Sequence, residues 1–163
     1  MAKPVKTSDG HYFLSLRGAR VQLNNVQLDS SWMVLGLSDA QIEKIADLDV
    51  GIVNQAKENC VDWFGKKLSD DFLENVYDSA IEGNALVARI AKSADGAVLT
   101  RFFDENKQPV QPGDITGPYD IIVELYGIEF IRKGYNPVWR IMQVRERPKV
   151  KPEIPEEYMF QDE

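Results

Sequence analysis

Between residues 38 and 83 the apolar side chains recur at helical spacing, and on both sides of that block they alternate with a period of two. This double switch constrains the fold more than any other feature. Strands must enter a helical block, and strands must leave it. Before the block, His11–Arg17, Arg20–Leu23 and Trp32–Leu37 read as strands, with Asn24-Asn25 as a turn. The block opens on Ser38-Asp39-Ala40-Gln41, a capping box. Ile42, Ile45 and Ala46 follow, and Asp47–Asp49 with Gly51 predicts an interruption. A second helix carries Ile52 to Phe64 and ends at Gly65. A third starts at Ser69-Asp70-Asp71 and keeps its stripe to Ile81, before Gly83-Asn84 stops it.

After the block, Ala85–Lys92 and Val98–Phe103 read as strands joined through Asp95-Gly96. Asp104–Gly117 reads as a polar loop. Tyr119–Arg132 and Pro137–Arg147 read as two long strands connected by Lys133–Asn136, with Gly127 marking a bulge or bend. Pro148, Pro152 and Pro155 then break structure, and Glu153, Glu156, Glu157, Asp162 and Glu163 charge a tail holding Tyr158 and Phe160. These parts predict a mainly β chain with a helical insertion (α+β). Residues 1–150 would form a small OB-like β barrel interrupted at 38–83, and 151–163 a disordered acidic tail. About six strands are visible where an OB-fold has five.

The 163 residues suit one domain with a real core. No apolar run approaches the roughly 20 residues that span a bilayer, and the N-terminus carries no apolar signal segment, so an intracellular protein without a membrane is expected. Cys60 has no internal disulfide partner. The formal charge is −7, unevenly spread. Residues 38–83 hold eleven acids against four bases and 152–163 hold five acids and no base. Residues 84–151 hold eleven bases against eight acids.

Enzyme signals are sparse. There is no Gly-rich phosphate loop, and His11 is the only imidazole on which a triad or a histidine-rich metal site would be built. Cys60 lies in an apolar stripe and reads as a core residue. Asp70-Asp71 fits a helix N-terminus better than a metal site, and Asp104-Glu105 a solvated turn better than an acid–base pair. Neither catalysis, cofactor nor metal is implied.

Aromatic and basic residues interleaved on strands give the stronger signal. Single-stranded nucleic acid needs that mixture, since bases stack on flat rings at about 1–3 kcal/mol each while cations follow the phosphates. Arg101, Arg132, Lys133, Arg140 and Arg145, with Arg17 and Arg20, are the candidate phosphate ligands. Tyr126, Phe130, Tyr135 and Trp139 are the candidate stacking residues. Tyr126, Phe130 and Arg132 share parity along one strand, which would put them on one face. For Trp139, parity with Ile141 leaves either face open as the interior. The acidic tail fits a segment that occupies a cationic groove until DNA displaces it.

Cys60-Val61-Asp62-Trp63-Phe64-Gly65-Lys66-Lys67-Leu68-Ser69 resembles a helix-to-helix junction. It is found in OB-fold single-stranded DNA-binding proteins of large eukaryotic DNA viruses, themselves similar to replication proteins of short-tailed phages. Ile122–Phe130 and Val138–Val144 resemble that family's last two strands, and the order of parts agrees over residues 30–163. The resemblance implies a protein that coats single-stranded DNA in replication, recombination or repair and self-associates. Its tail residues Glu153, Glu156, Glu157, Tyr158, Phe160, Asp162 and Glu163 would compete with DNA and recruit a polymerase or other replication partner. It also implies a structural role for Trp63-Phe64-Gly65. In the phages the aromatic lies at or near the last residue, whereas here Phe160 precedes Gln161-Asp162-Glu163. Two other classes fit the residues: a protein-interaction or structural barrel (a virion component or replisome adaptor) docking through the acidic helices, and a metal-dependent hydrolase using Asp70 and Asp71.

Overall fold

A computed structural model describes residues 3–7, 10–16 and 18–148. Arg17 and the tail therefore lie outside the described residues. The strands before the helices are β1 (Val5–Lys6), β2 (Tyr12–Ser15), β3 (Arg20–Leu28) and β4 (Val34–Leu35). The helices are α1 (Asp39–Glu58), α2 (Cys60–Phe64) and α3 (Asp70–Asn75). After them come the short strands β5 (Ile81–Glu82), β6 (Ala85–Leu86), β7 (Arg89–Ile90), β8 (Arg101–Phe103) and β9 (Pro109–Val110). The long β10 (Tyr119–Ile131) and β11 (Gly134–Glu146) follow. The chain is thus mainly β with a helical insertion, as the switch of period requires.

The β10–β11 hairpin is the backbone of the sheet. Its turn is Arg132-Lys133, shorter than the expected connection, because Ile131 already pairs with Gly134. On its other side β10 pairs with β2 through Gly127–Phe130 and with β3 through Tyr119–Glu124. The outer edge of β11 is covered by three segments running parallel to it: a bridge from Tyr77 to Tyr135, then β7, then β8. Beyond β3 the order continues through β4 and β6 to β5. The hydrogen-bonded path runs from β5 to β9, an open mixed sheet and not the expected closed barrel. The expected strand Ala85–Lys92 is split because β6 pairs with β4 while β7, two residues on, pairs with β11.

Several local signals act as the sequence requires. Ser38 and Gln41 form both bonds of the capping box, with Ser38 N–H donating to Gln41 Oε1 at 2.8 Å and Gln41 N–H to Ser38 Oγ at 3.2 Å. Gly65 closes α2 in the left-handed conformation at φ 75°, and Ser69 caps α3. The expected break at Gly51 does not occur. Burial of Ile45, Ile52 and Ala56 along one face of α1 outweighs the roughly 1 kcal/mol that a helical glycine costs. α3 stops at Asn75, short of the expected Ile81, because β11 captures the next residues. Tyr135 N–H donates to Val76 O, and Asp78 N–H to Tyr135 O at 3.0 Å. Asn24-Asn25 lies inside β3 as a bulge, where Asn25 takes φ 58° and its N–H donates to Asp120 Oδ1 at 3.1 Å.

The core lies between the sheet and the helices. Ile121, Val123, Leu125 and Ile128 of β10 face it, with Trp139, Ile141 and Val144 of β11. Trp63 and Phe64 of α2 pack edge-on against Phe130 at ring-centroid distances of 5.8 and 5.5 Å, which seats the insertion on the sheet. Cys60 is buried, and its sulfur accepts from Leu68 N–H at 3.1 Å, so the thiol is structural. Asp49 ties α1 to the segment between α3 and β5 by accepting from Tyr77 Oη and Ser79 Oγ. Burial pushes the Asp49 carboxyl up by more than those two bonds pull it down.

Candidate functional site

The outward face of β3, β10, β11 and β8 collects four of the candidate residues, Arg20, Arg101, Arg140 and Arg145, in cross-strand rows. In the first row Glu124 stands between Arg20 and Arg140. In the second Ile122 stands between Gln22 and Gln143, and Arg101 continues the row on β8. In the third Asp120 faces Arg145, with Phe103 beyond. This follows from alternation: Ile121, Val123 and Leu125 point inward, so Asp120, Ile122 and Glu124 point outward.

Both carboxylates are buried under arginines. Arg20 Nε lies 3.1 Å from Glu124 Oε2, and an Arg140 terminal nitrogen 2.8 Å from Glu124 Oε1. Arg145 Nε lies 2.8 Å from Asp120 Oδ2, and Arg147 pairs with Asp120 Oδ1. Burial pushes both carboxyls up. The bonds from Arg20 and Arg140 to Glu124 outweigh this, as do those from Arg145, the Asn25 N–H and Arg147 to Asp120, so both carboxyls are held below the usual range. Arg20, Arg140 and Arg145 are thus paired guanidinium groups, not the free cations the sequence suggests. Such pairs still present outward N–H groups, since each guanidinium has five.

Tyr126 is the one stacking candidate found at the surface, 39% exposed. The Arg140 guanidinium carbon lies 4.3 Å from its ring centroid, and the Phe13 ring 5.2 Å away. Two glycines make room for this cluster. A Cβ on Gly127 would come within 2.2 Å of Phe13 Cζ, and one on Gly18 within 2.3 Å of Glu124 Cγ.

The other three aromatics are corrected by the structure. Phe130, Tyr135 and Trp139 are buried in the core. Parity fails for Phe130 because the register shifts between Leu125 and Gly127, which places Tyr126 outward and Phe130 inward. Tyr135 donates its hydroxyl to Leu73 O at 2.9 Å, and burial pushes the phenol up to about 12. Trp139 takes the inward side shared with Ile141. Arg101 is exposed on β8, while Arg132 and Lys133 are exposed at the β10–β11 turn. That turn is six positions from Tyr126, roughly 20 Å along the strand, so these two cations stand apart from the rows.

Phe103 and Arg147, which belong to the interleaved aromatic and basic pattern of the sequence, complete the face together with Phe13, Gln22 and Gln143, which the sequence does not single out. Alternation along Gln22-Leu23 and Gln143-Val144 was the available signal, but amides carry no charge pattern to mark them. Among the described residues no group of three or more His, Cys, Asp or Glu is arranged to hold a metal. Asp70 and Asp71 occupy the first turn of α3. No helix among the described residues is long and apolar enough to cross a membrane.

No curated protein and no solved structure gives a significant match to this chain. A family model, described as a family of unknown function (DUF5871), matches residues 19–162. That span runs from the start of β3 through every element that builds the face, and the chain therefore belongs to the DUF5871 family of unknown function.

Proposed function

We propose that this chain binds single-stranded DNA, largely independent of sequence, across the outward face of β3, β10, β11 and β8. One observation carries the reading: exposed Tyr126, layered with the Arg140 guanidinium and Phe13, borders rows that hold Arg20, Arg101 and Arg145. Flat rings and guanidinium planes stack bases, and guanidinium N–H groups hold phosphates. An OB-like, incompletely closed arrangement of these strands is part of the same proposal. It is supported by residues 85–90, which border β4 at one end and β11 at the other and so bring the two sides of the sheet toward each other. Roles in replication, recombination or repair, self-association and recruitment of a replication protein by the tail extend the reading through the resemblance. Pro148, the last described residue, lies beside the third row, close to the face for which acidic residues 152–163 would compete in this proposal.

The test is anisotropy of labelled oligonucleotides with the full chain. Of the three tryptophans Trp63 and Trp139 are buried and Trp32 is half-buried against Phe102, so quenching of tryptophan by stacked bases is a weaker readout. Tighter binding to a single strand than to duplex, a steep loss with salt and a roughly tenfold loss for Tyr126→Ala support the proposal. Absence of binding at low salt overturns it. One observation favours a second reading, a protein-docking module: Val50, Val61 and Phe72 are exposed on the acidic helices. A stable protein complex without oligonucleotide affinity is its signature.

A further inference from the structure

Where β3 leaves toward β4, a recess of about 220 Å3 opens at the edge of the core. Trp32, Phe102, Tyr119 and Pro112 line it, together with Val144 of β11. The Trp32 and Phe102 ring centroids lie 6.0 Å apart. Trp32 holds the left-handed conformation at φ 69°, which is rare for a bulky side chain. Asp29 maintains it: its Oδ1 accepts from Ser31 N–H and from Met33 N–H, both at 2.9 Å, on either side of Trp32. The turn thus keeps a half-buried indole at the recess, across from the half-buried ring of Tyr119.

The chain comes out of the sheet next to this recess. Arg147 N–H donates to Pro118 O at 3.3 Å, and Pro118 directly precedes Tyr119. Pro148 shares the neighbouring hollow with Thr116, Gly117 and Pro118. The sequence continues Lys149-Val150-Lys151-Pro152-Glu153-Ile154-Pro155. Prolines at 152 and 155 have the spacing of polyproline II segments, which bind in aromatic-lined grooves. The four residues from Val144 to Pro148 span about 13 Å when extended. The four from Pro148 to Pro152 span about 12 Å in the polyproline II form. A segment that turns back at Pro148 therefore brings Pro152 level with the recess.

We infer that this recess receives Pro152–Pro155 of the same chain. The proline rings pack on the faces of Trp32 and Tyr119, and a segment already stiff loses little entropy on docking. Lys151, immediately before the motif, brings its ammonium to the Asp29 carboxylate at the rim. The recess is smaller than the roughly 300–1,000 Å3 of small-molecule pockets and suits a short run of side chains. This docking is separate from the proposed binding of DNA and does not depend on it.

The experiment is acrylamide quenching of tryptophan fluorescence in the full chain, without nucleic acid. Trp63 and Trp139 are buried, so collisional quenching reports on Trp32. Pro152→Ala/Pro155→Ala, outside the described residues, is expected to raise the quenching constant. A peptide of residues 149–157 added to that variant should lower it again. The tether supplies an effective concentration on the order of millimolar, so the peptide is needed in that range. In a Trp32→Phe background, checked for folding by its far-ultraviolet spectrum, the difference between parent and proline variant should vanish. The comparison of parent and proline variant stands without that background. Equal quenching in the two chains, or a difference that survives in folded Trp32→Phe, overturns the docking. Protection that is lost when the parent chain is diluted puts the segment in a second copy and overturns docking within one chain. Each of these results leaves the nucleic-acid proposal standing.

Discussion

Glu124 is a charged residue that acts as a structural anchor. Its side chain is 10% exposed, and it holds Arg20 and Arg140 together across three strands. Glu124→Gln leaves two guanidinium groups without their counter-charge and is expected to cost about 2 kcal/mol in urea unfolding. Arg20→Ala, removing a side chain 65% exposed, should cost under about 1 kcal/mol. The same carboxylates set an acid limb. Asp120 and Glu124 titrate lower in the folded chain than in the unfolded one, where carboxyls titrate near about 4. Their contribution is complete above that value and disappears as the pH falls through their folded values. Stability measured against pH should therefore drop below about pH 4, and Asp120→Asn/Glu124→Gln should flatten the drop. Asp49 works in the opposite sense. Its raised folded value gives stability at acid pH that fades as the pH rises through it, so Asp49→Asn should remove that fall.

At the scale of elements, bulges decide which side chains reach the surface. The bulge at Tyr126-Gly127 lets β10 bend from its ladder with β3 to its ladder with β2, and reverses the facing of every residue beyond it. Gly127→Ala would place a Cβ 2.6 Å from Leu14 O as well as against Phe13. The expected loss is about 2 kcal/mol in denaturant unfolding, together with a changed environment at Tyr126. The helical insertion depends on simpler chemistry. Ser38→Ala removes the cap of α1 and should lower stability by about 1 kcal/mol on the same assay.

For the whole molecule, the uneven distribution of charge matters more than its sum. The paired arginines of the outward face keep it from being strongly basic when free. Pro148, the last described residue, lies beside it. In the proposed function a chain ending at residue 148 should bind single strands more tightly than the full chain, with the difference shrinking as salt rises. Equal affinity at low salt would remove the tail from the binding mechanism.

The order of elements was legible in the chain because hydrophobic period is a local property. Ser38 and Gln41 cap one helix and Gly65 ends another, each through bonds that span only a few residues. The candidate face was legible in part. Arg20, Arg101, Tyr126, Arg140 and Arg145 do stand on it, but their pairing with Glu124 and Asp120 joins residues as many as 104 positions apart. Trp139, Tyr135 and Phe130 carry the same aromatic signal as Tyr126, and only packing distinguishes them. One register shift, the capture of residues 76–78 by β11 and the seating of α2 on Phe130 decide which rings are inside. Sequence fixes what a segment prefers over a few residues. Which face of a strand meets water is settled only when its neighbours arrive, because burial is a free energy of contact between distant parts of the chain.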